Sequence, residues 1–85
     1  MKFSIVIPAY NEEEAIGVVI ELCLKEKNNI INSTNVDDVE IIVVNDGSND
    51  KTKAISESYE AVKVISHEKN LGYGAALKTG FASTS

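Results

Sequence analysis

The chain has no arginine and no tryptophan, and only one cysteine, one proline and one histidine. A lone Cys23 cannot build an intramolecular disulfide framework. A lone His67 gives no basis for a histidine metal cluster or a histidine-based relay. Basic charge is scarce: eight lysines stand against thirteen acids, for a net charge of −5. Such a surface does not suit nucleic acid, whose phosphates need basic patches. A nucleotide remains compatible, because backbone N–H groups can hold its phosphates. No apolar run approaches the ~18–20 residues of a membrane span. The apolar start Phe3–Ile7 is ended by Pro8 without an A-x-A-like cleavage site, so it does not read as a signal peptide. A reducing, cytoplasmic setting is the expectation. At 85 residues the chain is one domain at most, and a chain of this size buries only a little over ~60% of its unfolded surface.

What is present is a globular composition, 44% apolar and 25% charged. Three strand–helix pairs are readable. Phe3 to Pro8 is an unbroken aliphatic run, as expected for a strand covered on both faces. Glu12 to about Glu26 has helical period, with Ile16, Val19, Ile20 and Cys23 on one face and Glu13, Gly17, Glu21 and Lys25 opposite. Asn11 is the expected N-cap, with Glu12, Glu13 and Glu14 complementing the helix dipole. Lys27 to Asp38 reads as a long asparagine-rich loop. A second strand spans Glu40 to Asn45, followed by a turn cluster that can cap a helix from Lys51 to Glu60, burying Ala54, Ile55 and Tyr59. A third, more exposed strand spans Ala61 to Ser66. A third helix spans Tyr73 to Ala82, with Ala76, Leu77 and Phe81 inward. The order βαβαβα with right-handed crossovers predicts an α/β fold, a parallel sheet with helices on both faces.

Ligands of open parallel sheets bind beyond the carboxyl ends of the strands. The residues there are Pro8-Ala9-Tyr10-Asn11-Glu12, Asn45-Asp46-Gly47-Ser48, and the stretch from His67 to Gly74. Asp46 can accept from a ribose hydroxyl or a base N–H, or it can simply close a turn or cap a helix. Tyr10 can stack on a base, or pack on the sheet edge. Glu12 can reach a ligand, or only serve the helix dipole. Gly72-x-Gly74 resembles the start of a dinucleotide fingerprint. Its third glycine position is Leu77, however, and the loop after the first strand has no glycine, so a nicotinamide or flavin site is a weak reading.

Three segments together resemble family 2 glycosyltransferases: Ile5-Val6-Ile7-Pro8-Ala9-Tyr10-Asn11-Glu12, Ile41 through Thr52 with Asn45-Asp46-Gly47-Ser48, and Asn70-Leu71-Gly72-Tyr73-Gly74-Ala75-Ala76 through Phe81. They resemble most the branch that acts on polyprenyl and dolichol phosphates. The resemblance implies the Rossmann-like N-terminal half of a GT-A fold over residues 1–85, a partial domain. It implies a nucleotide-sugar site formed by Pro8, Ala9, Tyr10, Glu12, Asp46, Gly72 and Gly74. Asp46 matches the second acid of the family's Asp-Asp-Gly-Ser motif, and Asn45 stands where that motif has its first.

The implied activity is inverting transfer of a sugar from a UDP- or GDP-linked donor to an acceptor such as a polyprenyl phosphate. It implies a divalent cation, Mg or Mn, for the full-length enzyme, and a site at the cytoplasmic face of the membrane. The family's Asp-x-Asp metal motif falls after a fourth strand, beyond Ser85, so neither metal ligands nor catalytic residues are expected within this chain. The chain alone is expected to be inactive, and prone to self-association through a bare sheet edge. Two other readings stand beside this one: a non-catalytic stub, and a different nucleotide-binding α/β domain.

Overall fold

The structure, a computed structural model, describes residues 2–84. Six elements alternate along the chain: β1 (Lys2–Ala9), α1 (Ile16–Ser33), β2 (Asp38–Asp46), α2 (Thr52–Glu57), β3 (Val62–His67) and α3 (Tyr73–Ala82). The strands form one parallel sheet in the order β1-β2-β3. β2 is central, and Ile41 to Asp46 are all buried. Both outer strands leave one edge unpaired among the described residues.

The pleat divides the core in two. On one face Ile41 and Val43 of β2 join Ile5 and Ile7 of β1, Val62 and Val64 of β3, and Ile16 and Ile20 of α1. On the other face Ile42 and Val44 pack with Val6, Ile65 and Ala76 of α3. So α1 and α2 cover one side, and α3 crosses back over the other to lie against β1 and β2. That last contact is close. A Cβ on Gly80 would stand 2.2 Å from Val6 Cγ1, so α3 sits on β1 at a distance only glycine permits.

Several element limits differ from expectation, each for a tertiary reason. α1 starts at Ile16, four residues later than its period suggests, and Ala15 rather than Asn11 is its N-cap. The amides of Asn11, Glu12 and Glu13 are taken by Ser48 Oγ, Thr52 Oγ1 and Asp50 Oδ2, at 2.9, 2.8 and 3.2 Å. Those residues therefore form a separate turn, and the three glutamates lie outside the first helical turn. At its other end α1 continues through the asparagine-rich stretch to Ser33. Thr34 Oγ1 stops it by donating to the Ile30 carbonyl at 2.6 Å and accepting from Val36 N–H at 3.1 Å. The supposed long loop thus shrinks to positions 34–37, an ordinary αβ connection.

Gly17 faces α2 and the residue just beyond it, with its Cβ direction 3.7 Å from Ile55 Cγ2 and 3.5 Å from Tyr59 Oη. α2 is shorter than expected, and the residues it buries are Thr52 and Ser56, while Ala54 is exposed. Ser56 is accommodated because its hydroxyl donates to the Thr52 carbonyl at 2.8 Å. α3 has its expected limits, but Phe81 is 63% exposed because Gly80, beside it, holds the contact with the sheet.

Candidate functional site

The three loops beyond the carboxyl ends of the strands are stitched together by polar groups. Asn11, at φ 51°, is one of the few residue types that enter the left-handed region without a large penalty. Its N–H donates to Ser48 Oγ, and its Oδ1 accepts from Asn49 N–H at 2.8 Å. Asp50 accepts from Thr52 N–H at 2.9 Å and so serves the start of α2. Asn45 accepts from Ser48 N–H at 3.2 Å and donates to Ser66 Oγ at 3.3 Å, holding the turn. Gly47 has φ 74°, and a Cβ there would meet Asn70 N at 2.4 Å. The loop after β3 therefore rests directly on that glycine.

Asp46 is buried, yet it does not cap α2. Its Oδ1 accepts from His67 Nδ1 at 2.7 Å and from Leu71 N–H at 2.9 Å, and its Oδ2 accepts from Gly72 N–H at 2.9 Å. The hydrogen bond from His67 comes first, with Leu71 N–H, in outweighing burial and holding the carboxyl below the usual carboxylate range. Because the carboxylate can only accept, Nδ1 of His67 is the protonated nitrogen. Nε2 of His67 lies 2.8 Å from Thr79 Oγ1. A chain Asp46–His67–Thr79 thus ties the tip of β2 to the tip of β3 and to α3. The lone histidine therefore does sit in a relay-like arrangement, contrary to expectation, and its visible role is to fix a carboxylate.

These contacts shape a cleft of about 340 Å³. One wall is the end of β1, with Pro8, Ala9, Tyr10 and Glu12. The other is the loop into α3, with Asn70, Gly72 and Tyr73. Asp46 lies between them, as the central position of β2 requires. Six of the seven residues singled out from sequence meet here. Gly74 does not line the cleft; it is exposed on the first turn of α3, with open space beside it. Gly72 has φ 100°, which explains its glycine: the conformation, not crowding, demands it.

Sequence reasoning placed Asn70, Tyr73 and His67 in the loop beyond β3 but gave none of them a role in the site. The first two stood inside a recognised motif but carried no pattern of their own. Cys23 packs against the core, and burial pushes its thiol up, away from reactivity. Among the described residues no group of three or more His, Cys, Asp or Glu is placed to hold a metal ion. Nor is any helix among them long and apolar enough to cross a membrane.

A parallel sheet, helices on both faces and a cleft at the carboxyl ends of its strands define a Rossmann-like α/β unit. The chain belongs to glycosyl transferase family 2, whose family model matches residues 4–85. Among its relatives, the dolichyl-phosphate beta-glucosyltransferase of Homo sapiens is 33% identical, over 98% of this chain and 28% of that protein. The probable glycosyltransferase YdaM of Bacillus subtilis is 44% identical, over 98% of this chain and 20% of that protein. Among solved structures, glucosyl-3-phosphoglycerate synthase from Mycobacterium tuberculosis, in complex with uridine-diphosphate, superposes with a TM-score of 0.68 at 32% identity. That match covers 99% of this chain and 30% of the synthase. The chain thus spans about a quarter of the length of the curated relatives it matches.

Proposed function

We propose that this chain forms the nucleoside-binding half of an inverting sugar transferase that uses a nucleotide-diphosphate sugar and a polyprenyl phosphate acceptor. The observation that carries the reading is the cleft itself. Pro8, Ala9, Tyr10, Glu12, Asp46 and Gly72 come from distant parts of the sequence and converge on one opening. Support comes from the uridine-diphosphate complex of the structural relative and from the dolichyl-phosphate relatives. In this reading Tyr10 offers a ring for the base, Asp46 an acceptor, and Glu12 an acceptor for the ribose. Gly74 leaves room beside the cleft for the rest of the donor.

An acceptor phosphate is already ionised and needs no general base. Proton removal is then not a task this chain must perform. Among the described residues no group is placed to hold a metal ion, and no step here runs through one. A divalent cation and association with the cytoplasmic face of the membrane belong to this reading of the whole protein's activity. The test is calorimetry on the complete protein with UDP and GDP, with and without manganese. Binding of either nucleotide supports the reading, and binding of neither removes it.

A further inference from the structure

α3 buries one side and leaves a second apolar side bare. Ala76 and Gly80 face the sheet. Tyr73, Leu77 and Phe81 recur every fourth residue and so share a stripe along the helix. Tyr73 is 70% and Phe81 63% exposed, Leu77 is half-buried, and Leu71, just before the helix, is 52% exposed. From Tyr73 to Phe81 the stripe runs about 12 Å. Tyr73 also lines the cleft, so the stripe and the mouth of the cleft form one continuous surface.

Charge decides what such a surface suits. Residues 69–85 carry Lys69 and Lys78 and no acid, +2 in all, against −5 for the whole chain and hence −7 for residues 1–68. Both lysines are exposed, and neither has a carboxylate partner among the described residues. Val18 and Leu22 of α1 are exposed to a similar degree, but the exposed Glu21 and Glu26 stand beside them. Of these two apolar faces, only that of α3 suits an anionic surface.

Resting on the lipid-phosphate acceptor of the reading above, we propose that the outer face of α3 docks the protein on an anionic bilayer. A phosphate carried on a polyprenyl chain stays at the bilayer surface, so the cleft has to be brought to it. Leu71, Leu77 and Phe81 enter the head-group region, and the ring of Tyr73 lies at the interface, where amphipathic rings are favoured. Lys69 and Lys78 meet the lipid phosphates and give the preference for negative lipid.

The experiment places a fluorophore on Phe81→Cys in the complete protein. The vesicles are phosphatidylcholine alone, or phosphatidylcholine with about one third phosphatidylglycerol. Phe81 and Lys78 are both exposed, so neither substitution opens the core. With phosphatidylglycerol present, the label is expected to be quenched by nitroxide lipids and shielded from aqueous iodide. Lys78→Glu in the labelled protein should weaken that partition by about fivefold or more. A label reached by iodide and not by lipid overturns the inference. So does a label shielded from both, which shows that another part of the protein or a second copy covers the stripe. A Lys78→Glu variant that partitions as before overturns it too. The acceptor reading is checked separately, by calorimetry of a short, water-soluble prenyl phosphate on the UDP-loaded protein without vesicles. Binding there with a label in water leaves the acceptor reading standing and removes only the docking surface.

Discussion

Nδ1 of His67 lies 2.7 Å from Oδ1 of Asp46, and strand register puts it there. His67 is the partner of Asp46 across β2 and β3, so the two side chains leave the sheet side by side on the α3 face. A hydrogen bond to a charged group is worth ~1.5–3 kcal/mol net, and its loss strands a buried acceptor. His67→Ala is therefore expected to destabilise the protein by about 1–3 kcal/mol and to weaken nucleotide binding together with it. His67→Asn keeps a donor near the Nδ1 position and should recover much of both. Denaturant unfolding and calorimetry measure the two effects. If Asn behaves no better than Ala, the donor role assigned to Nδ1 is wrong.

The same pair sets a pH dependence with a definite sign. The carboxyl of Asp46 is held below its ordinary value, led by the hydrogen bond from His67 and with Leu71 N–H next. Its ordinary value is about 3.9. A group depressed on folding contributes stability that is fully present above that value and is lost as pH falls through the folded one. The stability gap between the wild type and Asp46→Asn should be constant near neutrality and shrink below about pH 4. Melting temperatures from pH 7 to pH 2.5 would show it. A gap that stays constant into that acid range would contradict the account.

The parts that could be read in advance were those decided locally. α3 kept its limits because Gly72 breaks the chain before it, and β2 was plain because Ile41 to Val44 allow little else. The cleft residues were legible because they follow strands directly. What escaped was decided at a distance. α1 begins late because Ser48, Asp50 and Thr52, some forty residues away, claim the amides of its expected first turn. His67 looked inert because its two partners, Asp46 and Thr79, are separated from it by 21 and 12 positions. Phe81 looked like core by its period, but the close seat of Gly80 on Val6 decides which face of α3 is buried.

That seat can be tested against its neighbour on the same helix. Alanine is favoured over glycine in a helix by about 0.8–1.0 kcal/mol. At Gly74 a Cβ meets nothing within 4 Å, so Gly74→Ala should hold or raise stability. At Gly80 a Cβ would collide with the stiff, β-branched Val6, and overpacking typically costs ~1–3 kcal/mol. Gly80→Ala should therefore lower stability despite the better propensity, and Gly80→Ala with Val6→Ala should relieve part of the loss. Equal effects at the two glycines would refute the close contact. Loss of nucleotide affinity in Gly74→Ala, with stability kept, would mark the open side of α3 as facing the donor.

The bare edges of β1 and β3 carry a separate expectation. Parallel edges with unpaired backbone groups invite association. Here Phe3 at 45%, Leu22 at 58% and Phe81 at 63% exposure add apolar surface. Residues 1–85 expressed alone should sediment as a mixture of associated species, with a broad thermal transition. A monodisperse monomer with a sharp, cooperative melt would show that two open edges are tolerated.

Tyr73 gives the cleft its second aromatic wall. It is 70% exposed at the first position of α3, while Tyr10 is 44% exposed at the end of β1, and both line the opening above Asp46. An exposed tyrosine packs against little in the protein, so its removal should cost little stability. Stacking a base on an aromatic ring is worth ~1–3 kcal/mol by alanine substitution. Tyr73→Ala and Tyr10→Ala in the complete protein should each weaken UDP binding on that scale with the melting temperature nearly unchanged. The phenylalanine variants should retain most of the affinity, because the ring face and not the hydroxyl makes the contact. Should Tyr73→Ala bind UDP as well as the wild type while Tyr10→Ala does not, the base stacks on the β1 side alone.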